Sequence, residues 1–291
     1  MFDGSYYDRL ARLTLTVSKK SNASLLGSRK SVRKGSSAEF SGFREYMPGD
    51  DVRSIDWNAY ARLDRLYIKE YMEEKESRVH IFLDTSRSMD YGERKKSELA
   101  KELAAALSYI SLMHMDQVVL YDLADLNRSH RARGGKSGFR DLTFFLERLG
   151  VSDRLSVYPA IRTVGRMQPG LSVILSDFLE EDYVDENETL SEMLKYLEFQ
   201  KQNVILLQIL AKEEREITLT GTCNLIDAEA PGEKLRVTMD REAITAYGEE
   251  LKRFQGHLAR TAKLYGAAFH ICDTGMPFDK IIFEELRDIY D

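Results

Sequence analysis

The chain has 291 residues, 43% hydrophobic and 10% aromatic, enough for one large globular domain plus an appendage. Its 42 Lys and Arg against 48 Asp and Glu leave a formal net charge of -6, which argues against general nucleic-acid affinity, because phosphate binding rests on net positive surface. Its two cysteines, Cys223 and Cys272, lie far apart in strand-like runs and read as buried thiols of a reducing compartment, not as a disulfide framework or a zinc site.

The start of the chain shows no basic n-region or apolar h-region, and no stretch is apolar enough to span a bilayer, so the expectation is a soluble, cytoplasmic protein. Tyr7, Leu10, Leu13 and Val17 recur at helical spacing and predict a short amphipathic helix. A basic, small-residue stretch follows, from Lys19 to Ser24 and from Gly27 to Ser37, with the composition of a solvated loop. Residues 38–74 read as β-rich. Within them, Met47-Pro48-Gly49-Asp50-Asp51 is a strong turn signal, and Leu66 to Tyr71 alternates apolar and polar like a half-exposed strand. Arg44, Tyr46, Asp50, Asp51, Arg53, Asp56 and Trp57 cluster here. Their acids and arginines can pin a tight turn through charge-assisted hydrogen bonds or face a partner, and Trp57 is expected to bury its ring where the appendage meets the main domain.

Val79-His80-Ile81-Phe82-Leu83 leaves little room for a polar face and predicts a buried strand. It ends in Asp84-Thr85-Ser86-Arg87-Ser88, a D-x-S-x-S run at the strand's carboxyl end, where open α/β sheets bind ligands. Asp84, Ser86 and Ser88 offer hard oxygen donors of the type that Mg²⁺ or Mn²⁺ prefers. Such residues after a strand also serve simply to cap helices or close turns. The crossover helix is predicted over 94–115 and the next strand over 117–123. Arg128 to Gly138 reads as a basic, glycine-rich loop. Its Gly135-Lys136-Ser137 fails the phosphate-loop pattern, since Arg131 stands where the earlier glycine belongs.

A helix face over Leu142, Phe145, Leu146 and Leu149 and a helix over 159–167 precede a second buried strand, Leu171 to Leu175, which runs into Ser176-Asp177-Phe178. Asp177 is placed to complete the oxygen cage begun by Asp84. The acidic run from Glu180 to Glu186 reads as a solvated loop. After a helix around 193–199 and a buried strand over 203–210 comes a hairpin signature, 222–227 with 234–238. A long helix over 241–265, a strand over 267–272 and a last helix opened by Pro277 complete the chain. Alternation of strand and helix from Val79 onward predicts a parallel, doubly wound sheet. The expected division is an N-terminal helix, basic loop and β-rich appendage over 1–77 and an α/β domain over 78–291, with a hairpin insertion around 216–240.

D-x-S-x-S after one strand and Ser-Asp after a later one resembles the metal-ion-dependent adhesion site of von Willebrand factor A domains. By that resemblance Asp84, Ser86, Ser88 and Asp177 hold Mg²⁺ or Mn²⁺, with an open position for an acidic side chain of a partner. The family's intervening-loop threonine is absent here, and Ser156 is the first candidate to replace it, ahead of Asp153 and Ser152. The phrase running from Arg44-Glu45-Tyr46 through Pro48-Gly49-Asp50-Asp51 and Arg53 to Ile55-Asp56-Trp57, followed by the Asp84 loop, resembles the family catalogued as domain of unknown function 58. The likeness extends over nearly the whole chain. It implies a von Willebrand factor A-like fold and partnership with a MoxR-type AAA+ ATPase, in protein assembly or chaperoning, with no established activity. The alternative is a divalent-metal-dependent hydrolase acting on phosphoesters. Against it stand the absence of a G-x-S-x-G motif and of a second ligand cluster, and five histidines scattered without metal-ligand spacing.

Overall fold

Apolar runs with no polar face become central strands, and amphipathic runs become the helices that cover them. The computed structural model describes residues 4–15, 38–73, 78–152, 156–180, 183, 188–226 and 234–290. In chain order these form α1 (Gly4–Leu10), β1 (Ala38–Glu45), α2 (Trp57–Leu63), β2 (Tyr67–Glu73), β3 (Arg78–Leu83), α3 (Lys96–Met113), β4 (Gln117–Asp122) and β5 (Ser129–Ala132). There follow α4 (Gly135–Arg148), α5 (Val157–Thr163), β6 (Gly170–Ser176), α6 (Thr189–Phe199), β7 (Gln202–Leu210) and α7 (Lys212–Arg215). The chain continues with β8 (Gly221–Ile226), β9 (Lys234–Met239), α8 (Arg241–Leu264), β10 (Ala268–Asp273) and α9 (Phe278–Lys280).

The main sheet has six strands in the order β10-β7-β6-β3-β4-β5. Every pair is parallel except β4 with β5. That edge is antiparallel because the connection is a tight turn: Asp125 N–H bonds the Asp122 carbonyl and Arg128 N–H bonds the Asp125 carbonyl. A link this short cannot make the crossover that a parallel pair needs. The fold is thus α/β, with a mixed, mostly parallel central sheet and two separate two-stranded sheets, β1-β2 and β8-β9.

Alternate residues along each strand feed two cores. Val79, Ile81, Leu83, Val173 and Leu207 face Leu99, Leu103 and Leu107 of α3 and Leu142 of α4. Phe82, Ile174 and Leu206 face Ile161 of α5, Met193 and Leu197 of α6, and Leu258 of α8 on the other side. Each fully buried aliphatic side chain contributes about 1.5–3 kcal/mol.

Several sequence expectations change. The stretch expected as a basic loop, 128–138, instead holds the strand Ser129–Ala132 and the first turn of the helix Gly135–Arg148, whose later face over Leu142 to Leu149 was expected. Helix α1 belongs to the same compact unit as residues 78–290, not with the appendage: Leu10 is fully buried in that core and Leu15 bridges Tyr290. Cys272 is buried, its thiol pushed up to about 12 by burial, but Cys223 is half-exposed on β8. The basic stretches at 19–24 and 27–37 lie outside the described residues.

Residues 38–73 form a unit of their own. Strands β1 and β2 pair antiparallel. The turn within this signature closes with Asp50 N–H on the Met47 carbonyl, and Gly49 takes φ 106° at its third position, behind Pro48. Asp50 also accepts from Met47 N–H at 2.8 Å and from Arg44 at 3.0 Å. The middle of the segment is helical, not β. Asp51 accepts from Arg53 N–H to start a 3₁₀ turn, and Asp56 caps α2 by accepting from Asn58 and Ala59 N–H. Tyr46 N–H bonds the Leu66 carbonyl, and Ile55 and Ile68 are buried together. Trp57 is left largely uncovered by its own unit, set edge-on to Tyr60 one turn along the helix.

Candidate functional site at the junction of two parallel strands

The chain leaves β3 toward β4 on one side and leaves β6 toward β7 on the other. The crevice between the carboxyl ends of β3 and β6 is therefore the switch point of the sheet, the place where open α/β sheets hold ligands. Asp84 and Asp177 are the first residues beyond those two ends. Asp84 N–H bonds the Leu175 carbonyl and so continues the ladder by one step.

Asp84 is buried, with Oδ1 accepting from Ser86 N–H at 2.8 Å and Oδ2 from the Ser176 hydroxyl at 2.6 Å. Ser86 Oγ and Ser88 Oγ are 3.0 Å apart. The run then turns into a short 3₁₀ helix over Arg87–Asp90 that anchors Met89 in the core. Thr85 points the other way and donates to Asp122 at 2.6 Å, so it belongs to the support and not to the crevice. Burial, then repulsion from Asp177, pushes the Asp84 carboxyl up to about 6, against the hydrogen bonds from Ser176 and Ser86 that favour its anion.

Asp177 accepts from Leu179 N–H at 3.1 Å, while its own carbonyl takes the Gln208 side-chain amide. The next residue, Phe178, has φ 55°, an uncommon left-handed conformation for an aromatic residue, and its ring is fully buried beside Tyr183. That ring and the Ser176 hydroxyl, which accepts from Phe178 N–H, hold the turn that presents Asp177.

Three participants had no signal in the sequence pattern. Lys96, the first residue of α3, is 1% exposed and places Nζ 2.8 Å from Asp177 Oδ2 and 2.6 Å from Glu214 Oε1. Burial works against its charge, but Asp177 and Glu214 outweigh it and the ammonium is held above its ordinary range. Glu214, on α7, also accepts from Ala211 N–H and closes the first turn of that helix. Glu180 was read as part of a solvated acidic loop. Instead burial pushes it up to about 7, with Asp84 and Asp177 adding repulsion and the Val157 N–H and the Ser156 hydroxyl opposing. Its neighbour Tyr183 is buried, and residues 181, 182 and 184–187 of that run lie outside the described residues.

Ser156 precedes α5, and its buried Oγ lies beside the Glu180 carboxyl, whose anion it favours. Ser152 N–H bonds the Thr85 carbonyl, so the intervening segment does approach the Asp84 loop; Asp153 lies outside the described residues. Among the described residues no group of three or more His, Cys, Asp or Glu is arranged to hold a metal ion. The oxygens that the structure brings to the crevice are the Asp84 and Asp177 carboxylates with the Ser86 and Ser88 hydroxyls, while Ser156 stands beside Glu180. These are hard oxygens. Among the described residues, no helix is long and apolar enough to cross a membrane.

Over 104 residues the chain is 33% identical to the uncharacterized protein Rv1480 of Mycobacterium tuberculosis (strain ATCC 25618 / H37Rv) and to the uncharacterized protein Mb1516 of Mycobacterium bovis. Those matches cover 35% of this chain and 33% of each relative, so the chain spans about a third of the length of these curated relatives. Among solved structures, the conserved hypothetical protein BatB from Bacteroides thetaiotaomicron aligns over 73% of this chain and 98% of its own, at 16% identity and a TM-score of 0.40. An uncharacterized membrane spanning protein from Vibrio fischeri aligns over 74% of this chain and 96% of its own, at 10% identity and a TM-score of 0.21. The model of a family described as protein of unknown function DUF58 matches residues 42–256, the greater part of the sequence, and the chain belongs to that family.

Proposed function

We propose that this chain is a non-enzymatic binding module with a von Willebrand factor A-like fold, which grips an acidic residue of a protein partner through a divalent cation at the β3–β6 crevice. The observation that carries this reading is the approach of two buried carboxylates, Asp84 and Asp177, at adjacent parallel strand ends beside the Ser86 and Ser88 hydroxyls. Mg²⁺ or Mn²⁺, when bound, supplies a directional bond to a carboxylate. Asp84 is oriented for it by Ser86 N–H and Ser176, and Ser88 extends the donor set through Ser86. Like charges packed out of water favour a cation, because it relieves both the repulsion and part of the burial cost. The partner that fits the family resemblance is a MoxR-type AAA+ ATPase or its client, and the exposed Trp57 and its neighbours on the appendage offer a second contact.

The test is calorimetric titration of Mg²⁺ and Mn²⁺ into wild type and Asp84→Ala, with capture of a purified MoxR-type ATPase in the presence and absence of a chelator. Saturable binding lost in the variant, and capture lost with the chelator, support the reading. Absence of cation binding by wild type, and equally once Lys96 is replaced, overturns it. Generic phosphoester assays on the same samples test the hydrolase alternative, whose mark is turnover that vanishes in Asp84→Ala.

A further inference from the structure

The Lys96 ammonium sits on the same carboxylate that the cation reading assigns to the divalent ion, and the inference drawn here rests on that reading. Three features make the placement costly in isolation. The side chain is almost fully buried, a cation at the first turn of an 18-residue helix opposes the helix dipole, and α3 has no side-chain cap at that end to offset it. All three are tolerated because Asp177 and Glu214 converge on Nζ at 2.8 and 2.6 Å.

We propose that Lys96 is the resident cation of the site, competing with the divalent ion for Asp177 so that the ion enters only as the ammonium gives way. Asp177 Oδ1 is committed to Leu179 N–H and Oδ2 to Lys96, so the carboxylate already carries a positive partner. A divalent ion on that oxygen, at the ~2.1 Å typical of Mg²⁺, would lie close to a second full charge, and their repulsion inside a buried crevice is strong. Glu214 gives the displaced ammonium a second seat, since it already accepts from Nζ and is fixed by the Ala211 N–H. The site is thereby weak for divalent cations by construction, and its occupancy is conditional on what happens to Lys96.

The experiment compares Mn²⁺ affinity, by calorimetry and by the loss of the free-ion electron paramagnetic resonance signal, in wild type, Lys96→Met and the double variant Lys96→Met/Glu214→Gln. The single variant leaves the buried Asp177 and the half-buried Glu214 without their ion-pair partner and risks misfolding. The double variant removes one charge of each sign, keeps the formal net charge at -6, and carries the test if the single one fails to fold. Competition by Lys96 predicts Mn²⁺ binding about ten-fold tighter or more in the double variant than in wild type. Equal or weaker affinity, with wild type binding measurably, overturns the role of Lys96 and leaves the cation reading standing. Failure of wild type and both variants to bind overturns both. Tighter binding in Lys96→Met alone, with none in the folded double variant, also overturns it, because the gain then comes from the freed Glu214 charge.

Discussion

Ser176 donates its hydroxyl to Asp84 at 2.6 Å, so the last residue of one central strand fixes the first acid beyond its neighbour. Both residues are buried, and the same hydroxyl accepts from Phe178 N–H, so a single oxygen ties the two strand-end turns together. Ser176→Ala is expected to cost about 1–3 kcal/mol, since it leaves a buried carboxylate short of a donor. Urea denaturation of the variant against wild type measures it. A loss of only a few tenths would mean that the hydroxyl is replaceable.

Thr85 separates stability from binding. Its hydroxyl donates to Oδ1 of Asp122, which is fully buried, raised by burial and held partly down by this bond, while Oδ2 has no hydrogen-bond partner. Thr85→Val should destabilise by about 1–3 kcal/mol while leaving Mn²⁺ affinity unchanged. Parallel denaturation and titration check the two halves, and a changed affinity would show that Thr85 faces the crevice after all.

His80 gives a pH dependence that is free of the site. Burial holds its imidazole down to about 4, well under the ordinary 6.5, although a hydrogen bond to the Gln168 carbonyl favours the cation. Between those values the unfolded chain binds the proton and the folded one does not. This contribution is complete above pH 6.5 and is lost as pH falls toward 4, by about 3 kcal/mol in total. His80→Phe, which keeps a ring beside Phe82 and Tyr121, should flatten that acid-side loss. Denaturation at several pH values between 4 and 7 decides it; identical slopes in wild type and variant would refute the assignment.

Gly170 opens β6 where a Cβ would lie 2.1 Å from the Arg78 carbonyl oxygen. That oxygen is backbone and cannot swing aside as a side chain would. Gly170→Ala is expected to cost about 3 kcal/mol by forcing β3 and β6 apart at their amino ends. Thermal unfolding measures it, and an unshifted midpoint would show that the strands can separate cheaply there.

The strand and helix order was legible in the sequence because the central strands have no polar face and the helices have one. The pairing of Asp84 with a later strand-end acid was legible too, since both follow apolar runs that end abruptly. What the pattern hid falls into two kinds. Asp51 and Asp56 cap helical turns within a stretch whose composition is β-like, so the local side-chain caps decided the structure where periodicity was silent. Lys96, Glu180 and Glu214 are ordinary charged residues in charged surroundings. Only the fold, which brings residue 96 to residues 177 and 214, turns them into a buried network.

The left-handed backbone at Phe178 couples the acid beside it to the interior. A glycine there would let the carboxylate drift by small degrees. A ring locked among core side chains does not permit that, because any shift of the backbone must drag an aromatic group out of its socket and leave a void behind. The acid is thus held in one place by packing, and whatever reaches it meets a preorganised carboxylate on a stiff turn.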